Sequence, residues 1–537
     1  MSGSRLAGRF GVGFHIPLTM ARRGILNPGR PIRLLKQLYS LARWGISPVG
    51  AFRANAARVP HHTAVIDPWG SLTHRELFDR STRLAHAIPK LHEKPRLGLL
   101  CRNHRGFLQT VIAASHLGCD IVLLNTGASP TQLKSVIEEQ EINVLIADAE
   151  FLEGITMPSH TRIVTTGNDG PDLTLEDVIA PERATTIPPA KKQGRTIVLT
   201  SGTTGTPKGA RRPHPKLRSL TAMLSRIPLR VGDNVHIAAP LFHTWGYAAM
   251  QLTMAVRGTF VFTGKFDPNT SLQALAKHQC QAAFAVPVML QRMLELPDRE
   301  RQQHHLRALR AIAVSGSRLP PELAIRFMDE FSDVLYNLYG STEVSWAAIA
   351  GPKQLRQAPD CAGTPPFGTV LRLLDDADRP VKKGDSGRIF VGNEMLFEGY
   401  VSHKSPNRHS NMLHTGDYGH INSYGSLVVE GRTDDMIVSG GENVMPREVE
   451  ECIGRMPEVA DNIAIGVDDV DFGQRLAVFV VVKDEWELDA ATLKHRVKSR
   501  LAAHSVPRDI YFVESIPRNA TGKVPVQSLR EQIAARE

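Results

Sequence analysis

The sequence predicts an α/β protein that has a large N-terminal domain of layered sheets and helices and a small α+β C-terminal domain. From about Thr63, short β-branched or apolar runs alternate with segments of helical periodicity, which is typical of parallel strands covered by helices. After Gly431 the pattern changes to that of a smaller unit. The chain has 537 residues, of which 42% are hydrophobic and 22% are charged, so a sizeable core can form without disulfides.

We predict three regions: a basic amphipathic segment at residues 1–50, the large domain at 51–431 and the small domain at 432–537. In the first region, Pro31 is placed to begin a helix whose apolar residues share one face. Two interpretations of this helix stay open: it packs on its own domain as a surface helix, or it contacts a membrane interface. The apolar face comprises Leu34, Leu35, Leu38, Leu41 and Ala42.

Apolar runs separated by helical periods predict the strands of the large domain. These runs are Leu97–Leu100, Asp120–Leu124, Val144–Ala147, Ile197–Thr200 and Val261–Thr263. In the small domain, a strand is predicted near Met436–Val438, a helix from Pro446, and a second strand over Leu476–Val482. A further helix follows with Asp489 as its N-cap.

The net charge of +10 is concentrated at the N-terminus. Ten basic residues and no acidic residue lie between Met1 and Val65, and the rest of the chain carries a net charge of zero. The remaining chain has no basic stripe with interleaved aromatic residues, which argues against nucleic-acid binding. An anionic membrane surface is therefore the expected partner of the N-terminal segment.

The five cysteines are scattered and form no CxxC pair, which argues against a disulfide framework or a zinc site and favours a reducing compartment. No apolar run reaches the roughly 18–20 residues that span a bilayer. The segment FGVGFHIPLTMA is a poor signal peptide because His15 and Pro17 interrupt it. We expect a cytoplasmic protein, with peripheral contact at the inner face of a membrane as an option.

The most informative stretch runs from Arg195 to Gly209 and predicts a strand and a loop of small residues, followed by a helix with Leu217, Leu220, Leu224 and Ile227 in register. Gly202 and Gly205 relieve the steric limits on the turn, and Lys208 adds positive charge, so backbone N–H groups and hydroxyls can approach phosphate oxygens. The spacing from Gly202 to Lys208 is not that of a Walker A loop. Alone, the stretch is also compatible with an ordinary glycine-rich turn.

The sequence TSGTTGTPKG within this stretch resembles the phosphate-loop motif of the adenylate-forming superfamily, which includes the acyl-CoA synthetases. Six further motifs of that superfamily follow in the expected order, and the fatty-acyl-CoA ligases give the best match within it. The resemblance extends from about Thr63 to the C-terminus. The six motifs are PLFHTWG (Pro240–Gly246), YGSTE (Tyr339–Glu343), HTGD (His414–Asp417), GRTDDMI (Gly431–Ile437), SGGENVMPREVE (Ser439–Glu450) and PRNATGK (Pro517–Lys523).

The resemblance implies an AMP-forming fatty-acid:CoA ligase that uses ATP, CoA and Mg²⁺. A carboxylate attacks the α-phosphate of ATP to give acyl-AMP and pyrophosphate, and the thiol of CoA then attacks the acyl group and releases AMP. The first step accumulates negative charge on phosphate oxygens, so it requires hydrogen-bond donors, the metal ion and a well-placed cation.

The resemblance also assigns the nucleotide contacts. Glu343 would coordinate Mg²⁺, Thr342 would face the α-phosphate, and Asp417 would accept both ribose hydroxyls. SGSRL (Ser315–Leu319) departs from the SGGAPL-like form usual in the superfamily, and Asn422 stands where an aspartate is often found. The expected ATP-binding residues are Thr200, Ser201, Gly202, Thr203, Thr204, Gly205, Lys208, Ser317, Tyr339, Gly340, Ser341, Asp417 and Arg432.

His243 occupies the position of the family's gate beside the substrate carboxylate, and with Thr342, Glu343 and Lys523 it is expected to take part in catalysis. Relatives that activate amino acids generally carry an aspartate in this region for the ammonium group. PLFHTWG has no carboxylate, so the pocket disfavours amino acids. Core packing accounts equally well for most of the apolar residues expected to line the acyl pocket. These are Trp245, Gly246 and Trp346, with Tyr247, Phe284, Val286 and Val344 nearby.

Lys523 matches the family's mobile catalytic lysine, which neutralises charge between the carboxylate and the α-phosphate. In the superfamily the mobile C-terminal domain then rotates about a hinge, matched here by Asp434. The rotation would bring the CoA-binding loop of Gly440, Gly441 and Glu442 to the pantetheine channel.

Three alternatives stay open. An acyl-AMP ligase that serves a carrier-protein phosphopantetheine is disfavoured because no extra insertion precedes the hinge. An α-amino-acid adenylation module is weakened by the missing acidic anchor and carrier domain. A non-catalytic membrane-binding scaffold is opposed by the intact Lys208, Glu343, Asp417 and Lys523.

Overall fold

A computed structural model describes residues 15–167, 173–200, 208–399, 408–432, 437–439, 442–444, 446–469, 473–501, 505–519 and 522–534. The chain divides into two compact units. The first comprises Met1–Val370 and Gly392–Asn407, and the second comprises Leu371–Val391 and Arg408–Glu537. The boundary at residue 432 that the sequence suggests lies at the end of a strand inside the second unit, and the three-region division stays a prediction.

Helices and strands alternate along the first unit. In chain order they are α1 (Pro31–Trp44), α2 (Pro48–Arg58), β1 (Thr63–Asp67), β2 (Gly70–Thr73), α3 (His74–Leu91), β3 (Leu97–Leu100), α4 (Arg105–Leu117), β4 (Ile121–Leu123), α5 (Pro130–Glu139), β5 (Val144–Ala147), β6 (Arg162–Thr165), α6 (Leu175–Ile179), β7 (Thr196–Thr200), β8 (Lys208–Arg212), α7 (Leu217–Arg226), β9 (Asn234–Ile237), α8 (Thr244–Ala255), β10 (Thr259–Val261), α9 (Pro268–Lys277), β11 (Ala282–Ala285), α10 (Pro287–Glu295), α11 (Asp298–Gln302), β12 (Ala311–Val314), α12 (Pro321–Phe331), β13 (Leu335–Tyr339), β14 (Ala348–Ala350), α13 (Pro352–Gln357) and β15 (Cys361–Gly363).

Two sheets form the frame of the first unit and confirm the predicted α/β class. Their strand orders are β14-β13-β12-β11-β9-β10-β1-β2 and β6-β5-β3-β4-β7-β8. The inner strands run parallel, whereas β2, β8 and β14 pair antiparallel with their neighbours at the sheet edges. Because β9, β11, β12 and β13 are parallel neighbours, their carboxyl ends lie along one edge of the sheet. In α/β proteins that edge is where ligands bind.

The strand predictions are confirmed for β3, β4, β5 and β7, and the strand expected over Val261–Thr263 is found slightly earlier, as β10. The helix predicted with Leu217, Leu220, Leu224 and Ile227 in register is confirmed as α7, but a strand that the sequence did not predict precedes it. Lys208–Arg212 forms β8, antiparallel to β7 with Thr200 opposite Lys208, and α7 begins only at Leu217. The strand is favoured because alternate side chains point inward: Arg212 is buried and Arg211 is exposed.

The second unit contains two sheets. One includes β20-β19-β17-β16 in that order, and in the other β22-β21-β24-β23 are neighbours and β25 pairs with β24. As predicted, Asp489 caps a helix, accepting a hydrogen bond from the backbone N of Thr492 at 2.8 Å. The elements are β16 (Val370–Leu374), β17 (Gly387–Gly392), β18 (Arg408–His409), β19 (Met412–Ile421), β20 (Leu427–Arg432), β21 (Ile437–Ser439), β22 (Glu442–Val444), α14 (Pro446–Gly454), β23 (Val459–Asp469), β24 (Gly473–Val482), α15 (Ala490–Lys498), β25 (Asp509–Phe512) and α16 (Val526–Ala534).

The helix α1 is present as predicted, and its apolar face is largely exposed. Leu35, Leu38 and Ala42 are exposed, whereas Ser40 and Trp44 are buried on the opposite side. The reason is that Trp44, outside the predicted face, supplies the buried anchor of the helix. No helix in the described ranges combines the length and apolarity needed to cross a bilayer.

The five cysteines are all free, and four of them are buried. Burial raises the pKa of Cys280 to about 12, and the pKa of the half-buried Cys119 is likewise raised to about 12. Burial also raises the pKa of Cys101 well above its ordinary value, because its thiol lies entirely inside the first unit. A thiolate cannot be solvated at these positions, so the thiols are protonated at neutral pH.

Candidate active site

The PLFHTWG motif follows β9 at the carboxyl edge of the sheet and is held there by one buried side chain. The amide nitrogen of Asn103 donates to the carbonyl oxygens of Ile237 and Ala239, each at 2.9 Å. The amide oxygen of Asn103 accepts from the backbone N of Leu241, also at 2.9 Å. Sequence analysis missed Asn103 because a single asparagine has no recognisable pattern, although its short side chain can satisfy three backbone groups at once.

The same motif leads into α8 with a very close backbone contact. A Cβ on Gly246 would lie 2.1 Å from the carbonyl oxygen of Pro240, so only glycine fits at this position. The ring of His243, the residue preceding α8, lies 4.3 Å from the ring of Phe242. The structure thus gives Gly246 a packing role, while its role and that of His243 in substrate binding stay predictions.

The YGSTE motif forms a tight turn after β13. The hydroxyl oxygen of Ser341 accepts from the backbone N of Glu343 at 3.2 Å and from that of Val344 at 3.3 Å. Ser345 has φ +64°, and a Cβ on Gly340 would lie 2.3 Å from the carbonyl oxygen of Ser345. The turn therefore presents Thr342 and Glu343 in a fixed backbone conformation.

A hydrogen bond joins the two motifs. The hydroxyls of Thr244, at the start of α8, and Thr342 are 3.1 Å apart. Both side chains can donate and accept, so together they offer hydroxyl groups to an anionic ligand. The structure thus brings PLFHTWG and YGSTE into direct contact, as the resemblance implies.

Arg212 connects the β7–β8 hairpin with the YGSTE turn. Its guanidinium donates to the carbonyl oxygen of Thr342 and, at 2.7 Å, to the hydroxyl of Ser345. Burial lowers the pKa of Arg212 to about 10, and the nearby Glu343 opposes that shift. The guanidinium remains charged at neutral pH. Sequence analysis missed this residue because it follows the phosphate-loop motif; the alternation of a buried strand was the signal that could have found it.

Ser317 and Tyr339, two further expected ATP-binding residues, lie at the ends of neighbouring strands. Ser317 belongs to the loop after β12, in which Gly316 has φ +98°. Tyr339 ends β13, and its carbonyl oxygen accepts from the backbone N of Ala347 at 2.8 Å. Because β12 and β13 are parallel neighbours, both residues lie at the same edge as the threonine pair.

The apolar residues expected in the acyl pocket are buried and hydrogen-bonded within the first unit. The indole nitrogen of Trp245 donates to the carbonyl oxygen of Ala285 at 3.0 Å, and that of Trp346 donates to the hydroxyl of Thr369 at 2.9 Å. The Trp245 ring lies 5.2 Å from the ring of Phe284. These contacts favour core packing, and a role in acid binding stays a prediction.

In the second unit, Asp417 and Arg432 face each other across β19 and β20. One guanidinium nitrogen of Arg432 lies 3.7 Å from a carboxylate oxygen of Asp417. The Asn422 side chain accepts from the backbone N of Tyr424 at 3.1 Å and from that of Ser426 at 3.0 Å. Asn422 therefore closes the β19–β20 hairpin, a function that an asparagine performs as well as an aspartate.

Lys523 is exposed on a loop whose backbone is well anchored. The backbone N of Lys523 donates to the side chain of Asn519 at 2.9 Å, and the backbone N of Asn519 donates to the carbonyl oxygen of Lys523 at 2.8 Å. Arg518 donates to both carboxylate oxygens of Asp461 at 2.8 Å, which fastens the base of the loop to β23. The backbone of Lys523 is thus held at a defined point of the second unit.

Some predicted residues lie outside the described residues: Ser201, Gly202, Thr203, Thr204, Gly205, Asp434, Gly440 and Gly441. Of Thr200, Lys208 and Glu442, the structure describes the backbone, at the ends of β7, β8 and β22. The phosphate loop accordingly connects the two strands of the β7–β8 hairpin.

Comparison with known families agrees with this arrangement. Residues 52–401 match the AMP-binding enzyme family, and residues 448–523 match the C-terminal domain of AMP-binding enzymes. The chain belongs to the AMP-binding enzyme family. AMP-binding enzymes are members of the adenylate-forming superfamily, so the membership expected from the seven motifs is confirmed.

Relatives of this AMP-binding enzyme include CoA ligases for several acids. It is 29% identical to the feruloyl-CoA synthase of an Amycolatopsis species, over 89% of this chain and 97% of that protein. It is also 29% identical to the 2-succinylbenzoate–CoA ligase of Bacillus licheniformis, over 88% and 97%. Among solved structures, the anthranilate CoA ligase AuaEII in complex with anthranoyl-AMP is similar with a TM-score of 0.81 and 25% identity, over 91% and 98%.

Proposed function

We propose that this AMP-binding enzyme is an acid:CoA ligase that forms an acyl-AMP from ATP and a carboxylic acid and then transfers the acyl group to CoA. The convergence of PLFHTWG and YGSTE at the Thr244–Thr342 contact is the observation that carries the proposal. A substrate phosphate next to this contact would meet two hydroxyls and the carboxylate of Glu343, with the charged Arg212 behind the turn.

In the first half-reaction, a carboxylate oxygen of the acid forms a bond to the α-phosphorus of ATP while the bond to pyrophosphate breaks. No protein nucleophile is needed, so the protein orients the reactants and stabilises negative charge. Thr342 serves as a hydrogen-bond donor to the α-phosphate, and Lys523 supplies a positive charge between the acid and that phosphate. The predicted loop from Thr200 to Lys208 holds the other two phosphates.

A magnesium ion fits the residues present at the YGSTE turn. Mg²⁺ prefers oxygen ligands, and Glu343 offers a carboxylate in the same turn as Thr342, whose hydroxyl meets that of Thr244. When bound, the ion neutralises charge on phosphate oxygens. Among the protein residues, Glu343 would hold it.

In the second half-reaction, the sulfur of CoA forms a bond to the acyl carbon while the bond between that carbon and AMP breaks. The thiol proton leaves to solvent, and AMP carries the leaving electron pair. Asp417 is suited to hold the ribose of the adenylate through both steps, because its two carboxylate oxygens can each accept a hydroxyl. Arg432, opposite Asp417, is placed to orient the aspartate through its positive charge, 3.7 Å from a carboxylate oxygen.

The acid is proposed to be a carboxylic acid that carries a ring. Two observations support this proposal: the names of the relatives specify feruloyl, 2-succinylbenzoate and anthranilate groups, and PLFHTWG has no carboxylate for the ammonium group of an α-amino acid. A fatty acid, the substrate expected from the sequence, is the second candidate, since a hydrocarbon chain makes the same demand for an apolar pocket.

The test is the release of AMP and pyrophosphate with a panel of aryl acids, C2–C20 fatty acids and amino acids, each with and without CoA. We expect turnover that requires both an acid and CoA, and the best acid identifies the substrate class. Pyrophosphate exchange without any CoA thioester would point to a carrier-protein acceptor instead. Absence of turnover with every acid would contradict the proposal and favour a non-catalytic role.

A further inference from the structure

The helix α1 turns a continuous apolar face to the surface. Ile32, Leu35, Leu38 and Tyr39 are 71, 66, 52 and 54% exposed. With about 3.6 residues per turn, these four side chains and the exposed Ala42 fall on one side of the helix. A helix on the surface of a globular domain normally exposes its polar side, so this orientation is reversed. Contiguous exposed apolar side chains mark an interaction surface.

The helix cannot simply roll over to bury that face, because its other side is anchored. The Arg58 guanidinium donates to the backbone carbonyl oxygens of Asn27, at 2.7 Å, and of Pro28 and Arg30 just before the helix. At the other end, Trp44 is buried with the guanidinium carbon of Arg53 4.3 Å from its ring centre. Both contacts fix the rotation of α1 with respect to α2.

Positive charge borders the apolar face. Lys36 and Arg43 are exposed along one side of it, and Arg43 donates to the Tyr39 hydroxyl at 2.8 Å. The stretch from Arg22 to Arg58 contains no acidic residue, and within the described part of the chain none of its basic side chains forms an ion pair with a carboxylate. The charge of this segment is therefore uncompensated within the first unit.

We propose that α1 docks the enzyme on an anionic lipid bilayer. The apolar side chains would lie at the boundary between headgroups and acyl chains, and Lys36 and Arg43 would lie among the lipid phosphates. The helix has 14 residues, too few to span a bilayer, so it would lie in the plane of the surface. The family match begins at residue 52, after α1.

A second copy of the chain fits this surface less well. Two copies meeting through α1 would place Lys36 and Arg43 of one against the same residues of the other, and like charges repel. An anionic bilayer would bury the apolar face and place negative charge next to its basic border.

The experiment is co-sedimentation of the full chain with vesicles of phosphatidylcholine alone and with phosphatidylglycerol added. We expect binding to the anionic vesicles, with roughly tenfold weaker binding after Leu35→Glu combined with Leu38→Glu. Lys36→Gln combined with Arg43→Gln should reduce the preference for phosphatidylglycerol. The matched control combines Tyr424→Glu with Trp486→Glu. It adds the same two negative charges, but at exposed large side chains of the second unit, and it should bind vesicles as the parent chain does.

The variants replace exposed side chains, so each should keep the thermal unfolding midpoint and the pyrophosphate exchange of the parent chain. Two outcomes would overturn the proposal. One is equal binding of the parent and the Leu35/Leu38 variant to anionic vesicles. The other is a dimer, seen by sedimentation velocity in the parent chain alone, with no vesicle binding. Neither outcome depends on which acid the enzyme activates.

Discussion

Arg212 is the residue on which the geometry of the site most clearly depends. It is buried, and it holds both the backbone of Thr342 and the hydroxyl of Ser345. A methionine would fill similar volume but leave both groups without their donor. The YGSTE turn would then be displaced from the position in which Thr342 meets Thr244.

We predict that Arg212→Met lowers the rate of acid-dependent pyrophosphate exchange by about 10- to 100-fold, the effect of small misplacements in an active site. Arg211→Met is the matched control, because Arg211 is exposed on the same strand. Arg211→Met should keep the pyrophosphate-exchange rate of the parent chain. Equal losses in both variants would show that charge on β8, and not the contact with the turn, matters.

Lys523 is predicted to serve the first half-reaction alone. Lys523→Ala should lower pyrophosphate exchange by about 100-fold or more, because one charge at the transition state is lost. Thioester formation from supplied acyl-AMP and CoA should be retained. Lys498→Ala, at an exposed lysine of the same unit, serves as the control. Parallel loss of both half-reactions in Lys523→Ala would contradict this division of roles.

At the scale of the elements, the junction between the loop after β9 and α8 depends on the close approach of Gly246 to Pro240. We predict that Gly246→Ala destabilises the first unit by about 1–3 kcal/mol, since the added methyl group cannot fit beside the carbonyl oxygen. The thermal unfolding midpoint measures this loss. Gly127→Ala is the control, because Gly127 is exposed and its nearest neighbour would lie 3.4 Å from the added Cβ. If Gly246→Ala is as stable as Gly127→Ala, the loop after β9 can move to make room for the added methyl group.

The alternating pattern of the sequence predicts the parallel strands well because a buried strand needs a short apolar run, as in β3 and β5. The pattern missed β8, because Lys208–Arg212 contains two arginines and does not look like an apolar strand. The segment is a strand because it pairs with β7 at the sheet edge. The pattern also left open which face of α1 is buried. Helical periodicity shows which residues share a face, but the anchoring by Trp44 and Arg58 decides which face is buried.

The same distinction holds at the site. Glu343, Asp417 and Lys523 were predicted as site residues because they lie in recognisable motifs. Asn103 and Arg212 form hydrogen bonds with groups that lie 130 to 138 residues away in the sequence. Such contacts depend on the assembled sheets, and no local pattern encodes them.

At the scale of the whole molecule, buried histidines link stability to pH. Burial lowers the pKa of His74, His116 and His236 to about 4, below the ordinary value of 6.5. Below pH 6.5 the unfolded chain therefore binds protons that the folded chain does not. The stability associated with the neutral rings is complete above pH 6.5 and is lost as the pH falls towards 4, by about 2 kcal/mol per histidine between pH 7 and pH 5.

We predict a lower unfolding midpoint at pH 5 than at pH 7, and a smaller difference in His236→Gln, because glutamine does not titrate. His61→Gln, at an exposed histidine, should show the full difference. Thermal unfolding at the two pH values measures both. An unchanged difference in His236→Gln would mean that this ring is protonated in the folded state.

The cysteines, finally, make this enzyme convenient for fluorescence labelling. Maleimides react with thiolates. Four of the native thiols are buried, and Cys119 is protonated at neutral pH because its pKa is raised to about 12. One cysteine introduced on the surface of each compact unit could therefore carry a donor and an acceptor dye while the native cysteines stay in place. The energy transfer between the dyes would then report directly whether the two units change their separation when ATP, the acid and CoA are added in turn.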